Sequence, residues 1–144
     1  MRFIAVILML LVVATNIQCN GSEQVVKASN DFEKIQGTWK LVSGERHGEK
    51  FTAETIQTVK LTFAGDALRT QKGGDASEAT FTLHSEMDPK GIDLNMDGSL
   101  GLGIYKLEGT TLTILHGEVD QPRPTDFGAV ESGELTMLVL QKSE

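Results

Sequence analysis

A period of two governs this chain. Val59, Leu61 and Phe63 alternate with Lys60 and Thr62, and Ala79, Phe81 and Leu83 alternate with Thr80 and Thr82. Ile92, Leu94 and Met96 alternate with Asp93 and Asn95, Leu112 and Ile114 with Thr111 and Thr113, and Trp39 and Leu41 flank Lys40. Strict alternation describes strands with one dry face and one wet face. Less regular strands are expected near 67–72, 101–108 and 134–141, which brings the total to eight. Gly65-Asp66, Gly73-Gly74, Asp97-Gly98 and Glu108-Gly109 separate the runs and suit tight turns. No long amphipathic helix is available to cover a sheet, so closure on itself is the simplest protection for the edge strands. The expected fold is all-β: a small antiparallel, up-and-down barrel of eight strands, with a β-sandwich as the alternative. Asn30-Asp31-Phe32-Glu33 carries a capping-box pattern and Gly37 a stop, so a short N-terminal helix is expected over 30–36.

The start of the chain has a different character. Met1-Arg2 precedes an unbroken apolar run from Phe3 to Ala14. A spanning helix needs about 20 apolar residues, whereas this run has the length of a signal-peptide core. Residues 1–19 are therefore expected to be a signal peptide, residues 20–29 a flexible tether, and residues 30–144 one β-barrel domain. The expected location is exported: periplasmic, attached to the cell envelope, or secreted. Cys19 is the only cysteine of the 144 residues. That excludes a disulfide within the chain and a cysteine-based zinc cluster. Its place directly after an apolar run is that of the lipidated cysteine of bacterial lipoproteins, although Gln18 and Asn16 stand where those signals usually carry a small residue and Leu. Cleavage after Cys19, or earlier near Ala14 or Thr15, is the alternative. A lipid on Cys19 is the one expected contact with a membrane. Asn20-Gly21-Ser22 also matches the N-glycosylation pattern, which matters only in a eukaryotic secretory pathway. The net charge of −7 argues against nucleic acid as a partner.

Three segments carry a resemblance. Ile35-Gln36-Gly37-Thr38-Trp39-Lys40-Leu41-Val42-Ser43-Gly44-Glu45-Arg46 is similar to the opening of a lipocalin-like domain of unknown function abundant in planctomycetes. Gly103 to Leu112 resembles that family's middle motif. Arg123-Pro124-Thr125-Asp126-Phe127, then Gly133 and Leu138-Val139-Leu140, resembles its ending. The resemblance spans about residues 34–142 and implies an exported or modular β-barrel without a known activity. The Gly-x-Trp element is also similar to the one that opens lipocalin barrels, which implies that Trp39 is a structural plug at the closed end. In lipocalins a late arginine packs over that tryptophan; Lys142 stands nearest its place here.

Sites of familiar chemistry are sparse. Asp93-Leu94-Asn95-Met96-Asp97-Gly98 matches the first half of a calcium loop, but the twelfth position is Ile104 rather than Glu. The expectation is a strand with Asp93 and Asn95 on its wet face, followed by a turn. His47, His84 and His116 have no metal-ligand spacing and are expected on the surface or in turns. No nucleophile elbow or dinucleotide-binding glycine pattern occurs. No metal, cofactor or catalytic residue is expected, and the chain is read as not an enzyme.

The strandless stretch from Gly117 to Gly133 is long enough to draw attention as a site. Arg123, stiffened between Pro122 and Pro124, is suited to a carboxylate or phosphate at the barrel mouth. Its structural alternative is a pair with Asp120, Asp126 or a nearby carbonyl, with Phe127 pinning the loop to the barrel. The leading functional reading is a non-catalytic binding module for a small apolar or amphipathic ligand. Phe63, Phe81, Tyr105, Arg123 and Phe127 are its candidate contacts, and Leu61, Leu83 and Ile104 are further candidates for the wall. The alternative is a solid barrel whose outer surface meets an envelope protein. A hydrolase or isomerase ranks third.

Overall fold

The computed structural model describes residues 30–132 and 134–143. The expected signal peptide, Cys19 and the tether 20–29 lie outside the described residues. Each of the five alternating runs and each of the three less regular segments becomes a strand: β1 (Gly37–Arg46), β3 (Val59–Ala64), β4 (Ala67–Lys72), β5 (Asp75–His84), β6 (Gly91–Met96), β7 (Ser99–Glu108), β8 (Thr111–Gly117) and β9 (Leu135–Lys142). They pair antiparallel with their chain neighbours, and β1 pairs with β9 from Trp39↔Lys142 to Arg46↔Thr136. The result is a closed, up-and-down, lipocalin-like barrel of eight strands. The sandwich alternative falls, because one sheet closes on itself. An extra two-residue strand, β2 (Glu49–Lys50), lies against the end of β1.

Alternation places Trp39, Leu61, Phe63, Phe81, Leu94, Leu112, Ile114 and Leu140 in one buried core. The turns follow from backbone chemistry. Asp97 and Gly98 both take positive φ (52° and 84°), the conformation that a two-residue hairpin needs and that Asp-Gly tolerates well.

The two ends of the barrel differ. Residues 30–35 form helix α1, which covers one end. Trp39 Nε1 donates to the Ile35 carbonyl at 2.7 Å. Gln36 clamps the β3–β4 turn with both halves of its amide: Nε2 donates to Gly65 O at 3.0 Å and Oε1 accepts from Gly65 N at 2.7 Å. Asp31 accepts from the Tyr105 hydroxyl at 2.7 Å and from Lys90 Nζ at 2.8 Å. Lys142 Nζ lies 5.5 Å from the Trp39 ring centre and donates to Lys34 O at 2.9 Å. A lysine thus covers the tryptophan by cation–π attraction, although it lacks the planar group that stacks.

The other end is open. A bulge between Leu41 and Ser43 turns Val42 outward, 51% exposed, and returns Gly44 to the inside of β1. Beyond the bulge β1 leaves β3, with which it pairs only from Gly37 to Lys40. Phe51 and a second short helix, α2 (Ala53–Thr58), occupy that side. Thr52 caps α2 by accepting from Thr55 N at 3.2 Å. Gly44 is required here, since a Cβ on it would overlap the Phe51 ring.

Two inward glycines on β7 give a paired test. A Cβ at Gly103 would lie 2.7 Å from the Leu115 carbonyl oxygen, which is backbone and cannot step aside. At Gly101 the nearest atom would be 3.7 Å away, an ordinary contact. Gly103→Ala is expected to cost ~1–3 kcal/mol and lower Tm by several degrees. Gly101→Ala is expected to be neutral or slightly stabilising. Thermal unfolding followed by circular dichroism distinguishes the two.

Candidate functional site

The open mouth holds a cavity of about 450 Å³. This lies within the roughly 300–1,000 Å³ range of small-molecule sites. Its deep wall is apolar: Val59 and Leu61 of β3, Leu68 of β4, Leu94 of β6 and Ile114 of β8 are all buried and all face it. Leu138, Ala79, Met96 and the half-buried Phe51 extend the apolar surface. The strand parity that builds the core therefore also builds the pocket, whose floor is the roof of the core.

Polar groups gather at the rim. Arg46 Nη2 donates to Glu118 Oε1 at 3.0 Å, and His47 Nε2 lies 3.6 Å from the same oxygen. The hydrogen bond from Arg46 lowers the Glu118 pKa, aided by the charge of Arg46 and by His47. Lys72 ends β4 at the rim, with no ion pair among the described residues. Thr55, Thr70, Ser77 and Thr136 add hydroxyls. His116, like Thr70, Thr136 and Glu118, is part-buried. Its Nδ1 lies 3.2 Å from the Gly117 carbonyl oxygen, and burial pushes its pKa below the usual histidine value.

The residues expected to touch a ligand lie elsewhere. Phe63 and Phe81 meet edge to face at 5.0 Å inside the core, and Phe81 stacks on Phe32 of α1 at 5.9 Å. Tyr105 is spent on the clamp with Asp31; burial and then the Asp31 carboxylate push its phenol pKa well above normal. Of the eight candidate contact and wall residues, Leu61 alone lines the mouth cavity. Ile104 points outward, into a second cluster with Leu115 and Val130.

Arg123 and Phe127 belong to the outer wall. Phe127 packs against that second cluster, and Lys106 Nζ sits 5.2 Å from its ring centre. Phe127 therefore does pin the long loop, through the 3-10 turn Phe127–Ser132. Arg123 pairs with neither Asp120 nor Asp126. It crosses β6 and β7, donating to Asp93 Oδ1 at 2.6 Å and to the Gly103 carbonyl at 2.8 Å. Asp93, expected on the wet face, is accordingly part-buried and also meets His84 Nε2 at 2.8 Å. Asn95 keeps its exposed position and accepts from Gly98 N in the turn.

His116 corrects the expectation of surface or turn histidines, because it lies two residues beyond Ile114 on the inward parity of β8. That parity was readable in the sequence. The rim pair Arg46–Glu118 was not, since its partners stand 72 positions apart. Among the described residues no group of three or more His, Cys, Asp or Glu converges as a metal site. No family model, curated protein or solved structure matches the chain. Fold and cavity together define a class: a small lipocalin-like barrel, plugged at one end and open to an apolar pocket at the other.

Proposed function

We propose that this chain is an exported, non-catalytic binding module of the planctomycete lipocalin-like type, whose barrel mouth takes a small apolar or amphipathic ligand. The observation that carries this reading is the cavity at the mouth, with its apolar wall and polar rim. An apolar molecule entering it gains roughly 25 cal/mol for each Å² removed from water. The polar rim leaves room for a head group beside the solvent. Export rests on the apolar run Phe3 to Ala14, and attachment to the envelope on a lipid at Cys19.

A polarity-sensitive apolar fluorophore tests the reading. The wild-type barrel is expected to bind it saturably and to brighten it. Ala79 lines the cavity and is only half-buried, so Ala79→Trp should fill the pocket with little cost to the core. Affinity is expected to fall at least about tenfold with Tm unchanged. Binding that survives Ala79→Trp would move the site to the outer surface. No uptake by the wild type would leave the solid, protein-facing barrel as the reading to pursue.

A further inference from the structure

We infer that the mouth cavity selects amphiphiles whose head is an uncharged hydrogen-bond donor, and that Nε2 of His116 is the acceptor that reads it. The inference rests on the binding reading above and names its ligand class. A carbonyl oxygen offers lone pairs alone, so the contact between His116 Nδ1 and Gly117 O places a proton on Nδ1. In the neutral ring Nε2 then carries the lone pair. Among the described residues Nε2 has no hydrogen-bond partner, and no buried side-chain nitrogen or oxygen among them lacks one. Nε2 is therefore accessible, and the ring borders the cavity.

The strand partners of His116 shape the space around it. It stands opposite Gly103 on β7 and Thr136 on β9. Gly103 brings no side chain, and a Cβ there would come within 3.0 Å of the His116 Cβ. Below the ring on the same strand lies Ile114, so a tail on the apolar wall sets its head at the level of His116. The charges facing this level are Arg46, Glu118 and Lys72. Arg46 is already neutralised by Glu118, and Lys72 is exposed to solvent. A carboxylate beside neutral His116 would face a lone pair with a lone pair. An alcohol would donate to it.

Decanol, decyl methyl ether and decanoate each contain a linear ten-carbon chain, counting the carboxyl carbon of decanoate, and differ in the head. Each is titrated as a competitor of the fluorophore at pH 8, where His116 is neutral. Decanol is expected to bind about five- to tenfold tighter than the ether, the worth of one hydrogen bond, and tighter than decanoate. His116→Leu should bring decanol to the level of the ether and leave the ether within about twofold. A second readout needs no variant: the ¹⁵N resonance of His116 Nε2 should shift with decanol and stay in place with the ether. Equal binding of alcohol and ether, tightest binding of decanoate, or equal loss of both ligands in His116→Leu would each overturn the donor-reading role while leaving the pocket intact. Failure of the fluorophore and all three amphiphiles to bind the wild type would instead sink the binding reading itself.

Discussion

Trp39→Ala should destabilise the barrel by ~3–5 kcal/mol, the range for losing a buried tryptophan or phenylalanine. Trp39 is fully buried, and three layers depend on it. Its ring fills the floor between β1 and β3, where it stands opposite Leu61. Its Nε1 anchors α1 through the Ile35 carbonyl. Its face holds the Lys142 ammonium, which in turn reaches Lys34 O. Alanine removes all three links and leaves a void under a helix too short to persist alone. Trp39→Phe keeps most of the volume but leaves the Ile35 carbonyl without its donor, a loss of roughly 1–2 kcal/mol. Urea unfolding followed by far-ultraviolet circular dichroism gives both values, since Trp39 is the only tryptophan and fluorescence disappears with it. A cost for Trp39→Ala below about 1 kcal/mol would mean that the closed end contributes little to the stability of the barrel.

The alternation that put Trp39 on a dry strand face also located the barrel strands, while its place as a plug is what the lipocalin resemblance implies. Alternation of two, turn pairs and the absence of a covering helix are local signals, and the strand order follows once neighbours pair. β2 and α2 escaped it because two and six residues are too few to show a period. The site was less legible. Large aromatic residues on inward parity were natural ligand candidates, yet Phe63, Phe81 and Tyr105 lie toward the α1 end, where helix and strands bury them. Height along the barrel, not parity, separates floor from mouth. Height depends on the stagger between strands and on the bulge after Leu41, which one sequence does not display. His116 was within reach of the parity argument. Arg46 needed the bulge as well.

The second large effect belongs to the strap on the outer wall. Arg123→Leu is expected to cost ~2–3 kcal/mol, since it leaves the part-buried Asp93 carboxylate with His84 as its one side-chain partner and removes the donor to the Gly103 carbonyl (2.8 Å) and the longer contact to the Ile92 carbonyl (3.4 Å). Side-chain exposure is 20% at Arg123 and 22% at Asp93, low enough for the pair to hold part of its Coulomb energy against solvent. Gly91 makes the crossing possible, because a Cβ there would lie 2.9 Å from Arg123 Nη1. Burial by itself would raise the Asp93 pKa. Hydrogen bonds from His84 and Arg123, with the Arg123 charge, outweigh it and hold the carboxyl below its ordinary 3.8. A carboxylate with a depressed folded pKa stabilises the fold above its unfolded pKa and loses that contribution as pH falls through the folded one. Asp93→Asn removes the titration and nearly preserves the shape. The stability gap between wild type and Asp93→Asn should therefore be widest near neutral pH and narrow below about pH 4. Subtracting the variant is essential, because the Asp31 pKa is also lowered and contributes to acid unfolding of both proteins. The double-mutant cycle with Arg123→Leu, read by urea unfolding, should give a coupling of ~1–3 kcal/mol at pH 7 that shrinks in acid. A coupling that stays constant down to about pH 3 would assign the strap to shape and neutral hydrogen bonds, with Phe127 and Val130 holding the loop and the ion pair adding nothing.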